Sequence, residues 1–521
     1  MARADHDRLA PEGRLALVVV ATTVAVIGMN TTAINVTART MAGDLELGVV
    51  SVAWVANAYL LAGAAFALIG GRLGDDLGRT RALALGCAVF ALGSLTAAVS
   101  GATGVLFVGR VLQGIGAAFV LPAGIEVLHA LSDPERERFG YRIRGVVYAS
   151  AFGIGPFVGA VATDLAGWRA FFVVEIVVMG TAAALATRLR KGPRRGRRRR
   201  TDDLLGALLA VPLVALAILL VERAKSWGAV VWPTGVVAGV VVALAVAFVG
   251  VERRRDHPLL HLSLLRRRRL VGANVAVLGA SIGMLGLLYW FNVFAQSAAV
   301  FSRDALSVVV MFVPFTLSII VYTQIAVWLR TRVGATGPVL VGLGLSAAGF
   351  FWLSLAGPDT TEAQLLVPLA ICGLGAGVAN AGLVSLAVLD LPSGRLDEAA
   401  GITTLMRFAG SALAIAIGSS AFLAVQPTGA LASEPVAQQA AITSDVAAVG
   451  ATTFDRAVAR LDADLTQRVL AAARSDATTA FTQTMRWAGA IVLALAVLAA
   501  WLLWPTRRGP EAVVGGSGGA L

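Results

Sequence analysis

The chain has 521 residues, 57% hydrophobic and only 14% charged, with a mean hydropathy of +0.79. Soluble domains carry about 25% charged residues, so an ordinary soluble protein is excluded. The net charge of +12 would suit a nucleic-acid binder, but the densest basic run, 194–200, lies between two apolar runs, where basic residues set membrane topology instead.

Apolar runs of about 20 residues, long enough to cross the hydrocarbon core, recur along the chain and define an all-α polytopic membrane protein. Fourteen spans are expected: 15–36, 50–70, 82–99, 105–128, 145–163, 170–186, 204–221, 230–250, 270–294, 305–329, 337–356, 364–389, 401–425 and 487–504. The first run is too long for a signal-peptide core and no small-residue cleavage site follows it, so it is expected to be retained. Between spans two and three lies a charged, glycine-rich stretch, 71–81, expected as a tight loop. Segment 426–486 is expected outside the cell, with an amphipathic helix over 454–472. Residues 505–521 are expected as a cytoplasmic tail, glycine-rich and disordered after Arg508.

With both termini in the cytoplasm, 31 of the 43 Lys and Arg fall inside and ten outside, while Arg110 and Arg407 fall within spans. The positive-inside rule supports this orientation in the plasma membrane. Cys87 and Cys372 sit singly in apolar runs and suggest neither a disulfide nor a metal site. No nucleophile–base constellation, phosphate loop or cofactor motif is visible, so an enzyme is not expected.

Four motifs carry a resemblance. Gly71-Arg72-Leu73-Gly74-Asp75-Asp76-Leu77-Gly78-Arg79-Thr80-Arg81 resembles the signature between spans two and three of the major facilitator superfamily. Arg110-Val111-Leu112-Gln113-Gly114 resembles its span-four motif, R-x-x-Q-G. Gly155-Pro156-Phe157-Val158-Gly159 resembles its span-five antiporter motif, and Trp168-Arg169-Ala170-Phe171-Phe172 the start of its span six. With fourteen spans, the chain is similar to the drug:proton antiporters. The resemblance implies two six-helix bundles, here 1–188 and 270–504, with basic linkers and two extra helices between them in 189–269. It also implies a central cavity, alternating access, and export of lipophilic or cationic drugs, antibiotics or natural products against protons.

Within that frame, Arg110 is the costliest residue, since an Arg at a helix centre costs about 2.5–3.5 kcal/mol on insertion scales. It must face the interior and find acceptors. The family places an Asp in span one, where this chain has Asn30, which cannot take a proton at working pH. An uncoupled or differently coupled permease is therefore the alternative reading. Glu175, where the family usually has Asn, and Glu126 are the remaining candidate proton carriers, and either could instead be held in an ion pair. For Glu126 the expected partner is Arg79 or Arg81, in a gating salt bridge near the cytoplasmic surface. Asp75 is expected to tether helix ends in one conformation. Pro156 leaves a carbonyl without its intrahelical bond, and the small residues beside it allow close helix packing. Asn30, Asn35, Gln113, Tyr289, Asn292 and Arg407 are candidates for a cavity wall, Arg407 alternatively a structural anchor near the inner surface. The expected partners are lipid, a small-molecule substrate and protons, with a monomer as the working unit.

Overall fold

The computed structural model describes residues 11–45, 47, 49–129, 134–189, 204–223, 231–255, 260–296, 300–301, 305–388, 396–423 and 463–504. These residues form helices and no strand. The helices are α1 (Pro11–Asp44), α2 (Val49–Leu77), α3 (Arg79–Ala98), α4 (Thr103–His129), α5 (Pro134–Ala166), α6 (Arg169–Arg188), α7 (Leu204–Arg223) and α8 (Val231–Arg253). A 3-10 turn (Leu264–Arg266) precedes α9 (Arg268–Gln296), α10 (Ala305–Met311), α11 (Val313–Val333), α12 (Thr336–Leu353), α13 (Glu362–Val388), α14 (Leu396–Leu423) and α15 (Ala463–Leu503).

Among the described residues, eleven helical segments are long and apolar enough to cross a membrane. Three shorter apolar segments, Trp54–Gly70, Leu208–Leu220 and Val313–Thr323, lie where the other three expected spans fall. Burial in such a bundle excludes water from the backbone, and helices satisfy every interior N–H and C=O within the segment.

Three boundaries differ from expectation. The stretch 71–81 is not a loop: α2 continues to Leu77, and only Gly78, at φ +85°, separates it from α3. Gly74 is carried inside the helix, whereas a residue at positive φ ends it, and glycine adopts that conformation without strain. The tenth span, 305–329, is two helices that turn at Phe312, whose N–H bonds both Val308 O and Val309 O. Pro314 lacks the N–H that a continuous helix would donate to residue 310.

The last span does not begin at 487. α15 is a single helix of 41 residues, about 60 Å at ~1.5 Å per residue, and its apolar window opens at Leu470. The segment looks polar because of its threonines. Their hydroxyls bond their own helix, Thr478 to Arg474 O at 2.8 Å and Thr484 to Ala480 O at 2.7 Å, so Thr478, Phe481, Thr484 and Met485 are buried. The parallel Phe294 and Phe481 rings, 4.2 Å apart, fasten this stretch to α9. The expected external segment 426–486 gives up 470–486 to the apolar window of this helix; 426–462 lies outside the described residues, as do 190–203, the first half (454–462) of the expected amphipathic helix and the tail.

Helices α1–α6 pack on one another through the pairs α1/α5, α2/α4, α3/α4 and α3/α6. Helices α9–α15 do so through α9/α14, α9/α15, α11/α13 and α12/α13. The two groups meet along α2/α14 and α5/α11, while α7 pairs with α8 and rests on both α2 and α14. We call the rim where α1 starts and α2 ends the lower rim. At the upper rim, Asp44 Oδ2 accepts bonds from Trp168 Nε1 (2.8 Å) and Arg169 Nη1 (3.2 Å), and Arg169 Nη2 donates to Ser100 O (2.9 Å). The Trp-Arg pair therefore ties the ends of α1, α3 and α6 together. At the lower rim, His261 Nδ1 sits 2.8 Å from Glu398 Oε1, docking the segment after α8 onto the start of α14.

Candidate functional site

The close packing of α5 on α1 sets the position of the site. A Cβ built on Gly155 would overlap Thr32 Oγ1 and come within 2.7 Å of Met29 O, and one on Gly159 would lie 2.8 Å from Ala33 Cβ. Only hydrogen fits at either position, so this face of α5, with buried Pro156 between the two glycines, presses on the turn of α1 that carries Asn30.

Asn30 enters a buried polar cluster with residues of α2, α3, α4 and α6. Arg110 and Gln113 on α4 are three residues apart, hence on one face, and neither is exposed. Arg110 Nε donates to Val55 O at 2.9 Å. Its Nη1 donates to Asn30 Oδ1 at 2.8 Å and to Gln113 Oε1 at 2.6 Å. Asn30 Nδ2 in turn donates to Glu175 Oε1 at 2.7 Å, and Gln113 Nε2 donates to Glu175 Oε2 at 2.7 Å. Ser94 Oγ completes the set, 3.0 Å from Glu175 Oε2. The cation and the acid are therefore joined by two parallel amides, each with its oxygen toward Arg110 and its nitrogen toward Glu175. Three side-chain donors converge on the carboxylate, the arrangement an ionised acid requires.

Arg110 also faces the ring of Tyr59, with Cζ 4.7 Å from the centroid. Tyr59 meets Phe408 of α14 edge to face, with centroids 5.7 Å apart. The cluster, built wholly within α1–α6, thereby reaches the seam with α9–α15 through one aromatic pair.

The other sequence candidates fall elsewhere. Arg79 Nε lies 3.6 Å from Glu126 Oε2, and its Nη1 donates to Glu126 O, at the lower rim, while Arg81 is exposed. Gly71 and Asp75 lie on the last turns of α2, and the side chains of 71–76 are outside the described residues. Asn35 and Asn292 meet across the two groups: Asn292 Nδ2 donates to Asn35 O at 2.6 Å, and both are buried. The Asn35 amide itself has no hydrogen-bond partner among the described residues. Tyr289 is buried on α9.

Arg407 is not near a helix end. It lies at the middle of the Glu398–Ile417 apolar window, stacked over Tyr148 of α5 at 5.2 Å and donating to Asn380 Oδ1 at 3.3 Å. Its helical position follows from where α14 starts, at Leu396, which the run of hydropathy does not mark.

Sequence reasoning missed Ser94, Tyr59, Phe408 and Tyr148. Ser94 carries no signal, being one small polar residue in an apolar run. Tyr59 carries a weak one, as one of five tyrosines in the chain.

Among the described residues no group of three His, Cys, Asp or Glu could hold a metal. A groove of about 1070 Å³ between α12 and α15, lined by Trp352, Arg486 and Trp487, lies apart from the cluster.

A bundle of long apolar helices around a matched, buried Arg–Glu cluster is the construction of a polytopic membrane transporter. The sequence pattern of the Major Facilitator Superfamily matches residues 18–415. The chain belongs to that superfamily, whose members move small molecules across membranes, and it is a transporter rather than an enzyme. It is 30% identical over 407 residues to the puromycin resistance protein of Streptomyces alboniger, covering 77% of this chain and 80% of that one. It is 30% identical to the cephamycin export protein of Amycolatopsis lactamdurans (77% and 83% covered) and 25% to the tetracenomycin C resistance and export protein of Streptomyces glaucescens (77% and 74%).

Proposed function

We propose that the protein exports small lipophilic or cationic compounds, antibiotics or natural products among them, across the plasma membrane in exchange for protons. The export sense rests on the relatives named for puromycin, cephamycin and tetracenomycin C. The arginine distribution supports fourteen crossings with the lower rim and both termini in the cytoplasm, and the working unit is taken to be a monomer. The two groups, α1–α6 and α9–α15, rock about the α2/α14 and α5/α11 seams, and the Arg79–Glu126 pair and Asp75 hold the lower rim in one state.

The observation that carries proton coupling is the buried Glu175 in direct hydrogen bond with Asn30. Position 30 lacks an acid, which favours an uncoupled permease; Glu175 supplies one at hydrogen-bond distance. When Glu175 is ionised, Arg110 balances its charge. When a proton binds, the cluster gains one net positive charge that Arg110 must accommodate, and Arg110 lies against Tyr59 at the seam. One proton moving down about 100 mV supplies about 2.3 kcal/mol, enough for a roughly fifty-fold substrate gradient.

The test is transport in proteoliposomes with an imposed pH gradient, with puromycin and a lipophilic cation such as ethidium as probes. Gradient-dependent transport is expected in the parent and its loss in Glu175→Gln. Undiminished gradient-driven transport in that variant would remove Glu175 from the mechanism, and transport indifferent to the gradient would establish the permease reading instead.

A further inference from the structure

Asn30 faces two ways. Its Oδ1 accepts from Arg110 Nη1 at 2.8 Å, and its Nδ2 donates to Glu175 Oε1 at 2.7 Å. Glu175 likewise divides its oxygens: Oε1 meets Asn30, and Oε2 meets Ser94 Oγ at 3.0 Å and Gln113 Nε2 at 2.7 Å. The pair thus spans α1 and α6 with one acid and one amide, and asparagine has the shape of aspartate as glutamine has the shape of glutamate. We infer that the cluster requires one acid and one amide across positions 30 and 175 but works with the acid on either helix, and that Asn30 is the positioning residue whose amide fixes the acid's place in this chain. This inference rests on the reading of Glu175 as the proton-carrying group.

The exchange can be followed atom by atom in the double variant Asn30→Asp/Glu175→Gln. One oxygen of the aspartate introduced on α1 accepts from Arg110 Nη1 as the Asn30 oxygen does now. The other accepts from the amide nitrogen of the glutamine introduced on α6, so the bond between α1 and α6 persists with its direction reversed. The oxygen of that glutamine takes over the bonds from Ser94 and Gln113. Every donor keeps an acceptor, and the cluster keeps one positive and one negative charge. Neither single change does this. Glu175→Gln leaves the Arg110 charge without a counter-charge and sets the new amide nitrogen against Asn30 Nδ2 or Gln113 Nε2, with the Ser94 hydroxyl, which already accepts from Gln113 and can turn its hydrogen to Phe90 O, left to accept from it. Asn30→Asp sets two carboxylates at hydrogen-bond distance, which they tolerate only by sharing a proton.

The experiment uses the purified full-length chain in lipid nanodiscs, with the proton itself as the probe. A pH step from alkaline to acid in the presence of a pH-indicating dye measures proton uptake per molecule, and a melting curve measures folding. The parent should take up one proton more than Glu175→Gln, and the Asn30→Asp/Glu175→Gln double variant should regain that proton with a midpoint of its own. The double variant should also melt above Glu175→Gln. A double variant that melts cooperatively but regains no proton overturns the exchange and leaves the role of Glu175 standing. Equal uptake by Glu175→Gln and the parent overturns both. If neither variant folds, the exchange fails as well, because it requires the double variant to be fully matched. A merely structural role for Asn30 would restore the melting temperature alone.

Discussion

Arg110 and Glu175 have no direct ion pair: Asn30 and Gln113 stand between them, each accepting from the guanidinium and donating to the carboxylate. A direct contact would lock the charges together. Two intervening amides let each charge feel the other through polar groups, leaving the carboxylate held by neutral donors. Arg110 Nη2 has no hydrogen-bond partner among the described residues, so the guanidinium keeps that nitrogen's two N–H donors in reserve within the protein interior.

Removing the cation should be costly. Arg110→Ala leaves Glu175 buried without a counter-charge, and breaking a buried pair in this way costs about 3–5 kcal/mol. Arg110→Lys should recover part of the stability and little of the transport, because an ammonium cannot copy the fork that binds Val55 O, Asn30 and Gln113 together. Melting curves of the two variants, with gradient-driven transport, check both statements.

At the seam, Phe408→Ala removes the edge-to-face contact with Tyr59, a pairing worth about 0.5–1.5 kcal/mol beyond its burial. Gradient-driven transport should fall several-fold while proton uptake is unchanged, because the cluster itself is intact. Tyr59→Phe should be nearly silent: the Tyr59 hydroxyl is 3.4 Å from Thr31 Oγ1, a long bond, whereas its ring supports both Arg110 and Phe408. Equal losses in the two variants would mean that the hydroxyl matters as much as the ring contact.

Gly155→Leu should separate α1 from α5. Its side chain would have to displace Thr32 and the Met29 backbone, and overpacking of this kind costs about 1–3 kcal/mol or more. Because Asn30 neighbours that contact, the variant should lose the extra proton taken up at Glu175 as well as stability, whereas Gly145→Leu, where a Cβ meets open space, should lose neither.

The Arg79–Glu126 pair at the lower rim is partly exposed on the arginine side, with side-chain exposures of 25% and 6%. The glutamate side is buried, so Arg79→Gln should cost some stability, although glutamine keeps an N–H to offer the carboxylate. It should also change labelling of a cysteine introduced at Ala82, which is buried near the start of α3, by a membrane-impermeant thiol reagent. An unchanged labelling rate would argue against a gating role.

The distance from sequence to site was short for some residues and long for others. Arg110 stood out because no apolar run tolerates an arginine without partners, and the motif around it placed Gln113 one turn away. Gly155 and Gly159 showed in sequence that something must approach closely, without naming what. Glu175 was visible as a lone acid in a span, but its partners come from three other helices at separations of 62 to 145 residues. The polar look of 470–486 misled, because a threonine satisfied on its own helix reads as a surface residue in sequence and behaves as an interior one in a bundle.

By itself the sequence determined that the chain lives in a bilayer, roughly where it crosses, and which few charged residues must be matched inside. Those properties follow from segment hydropathy and from the cost of burying charge, and both act within a single helix. Only the tertiary structure decided that Asn30 and Gln113 bridge Arg110 to Glu175, that Tyr59 carries the cluster to Phe408, and that Arg407 lies at mid-helix over Tyr148. Those facts depend on the rotation and depth of helices packed side by side, which side-chain shape at each contact sets and no local spacing encodes.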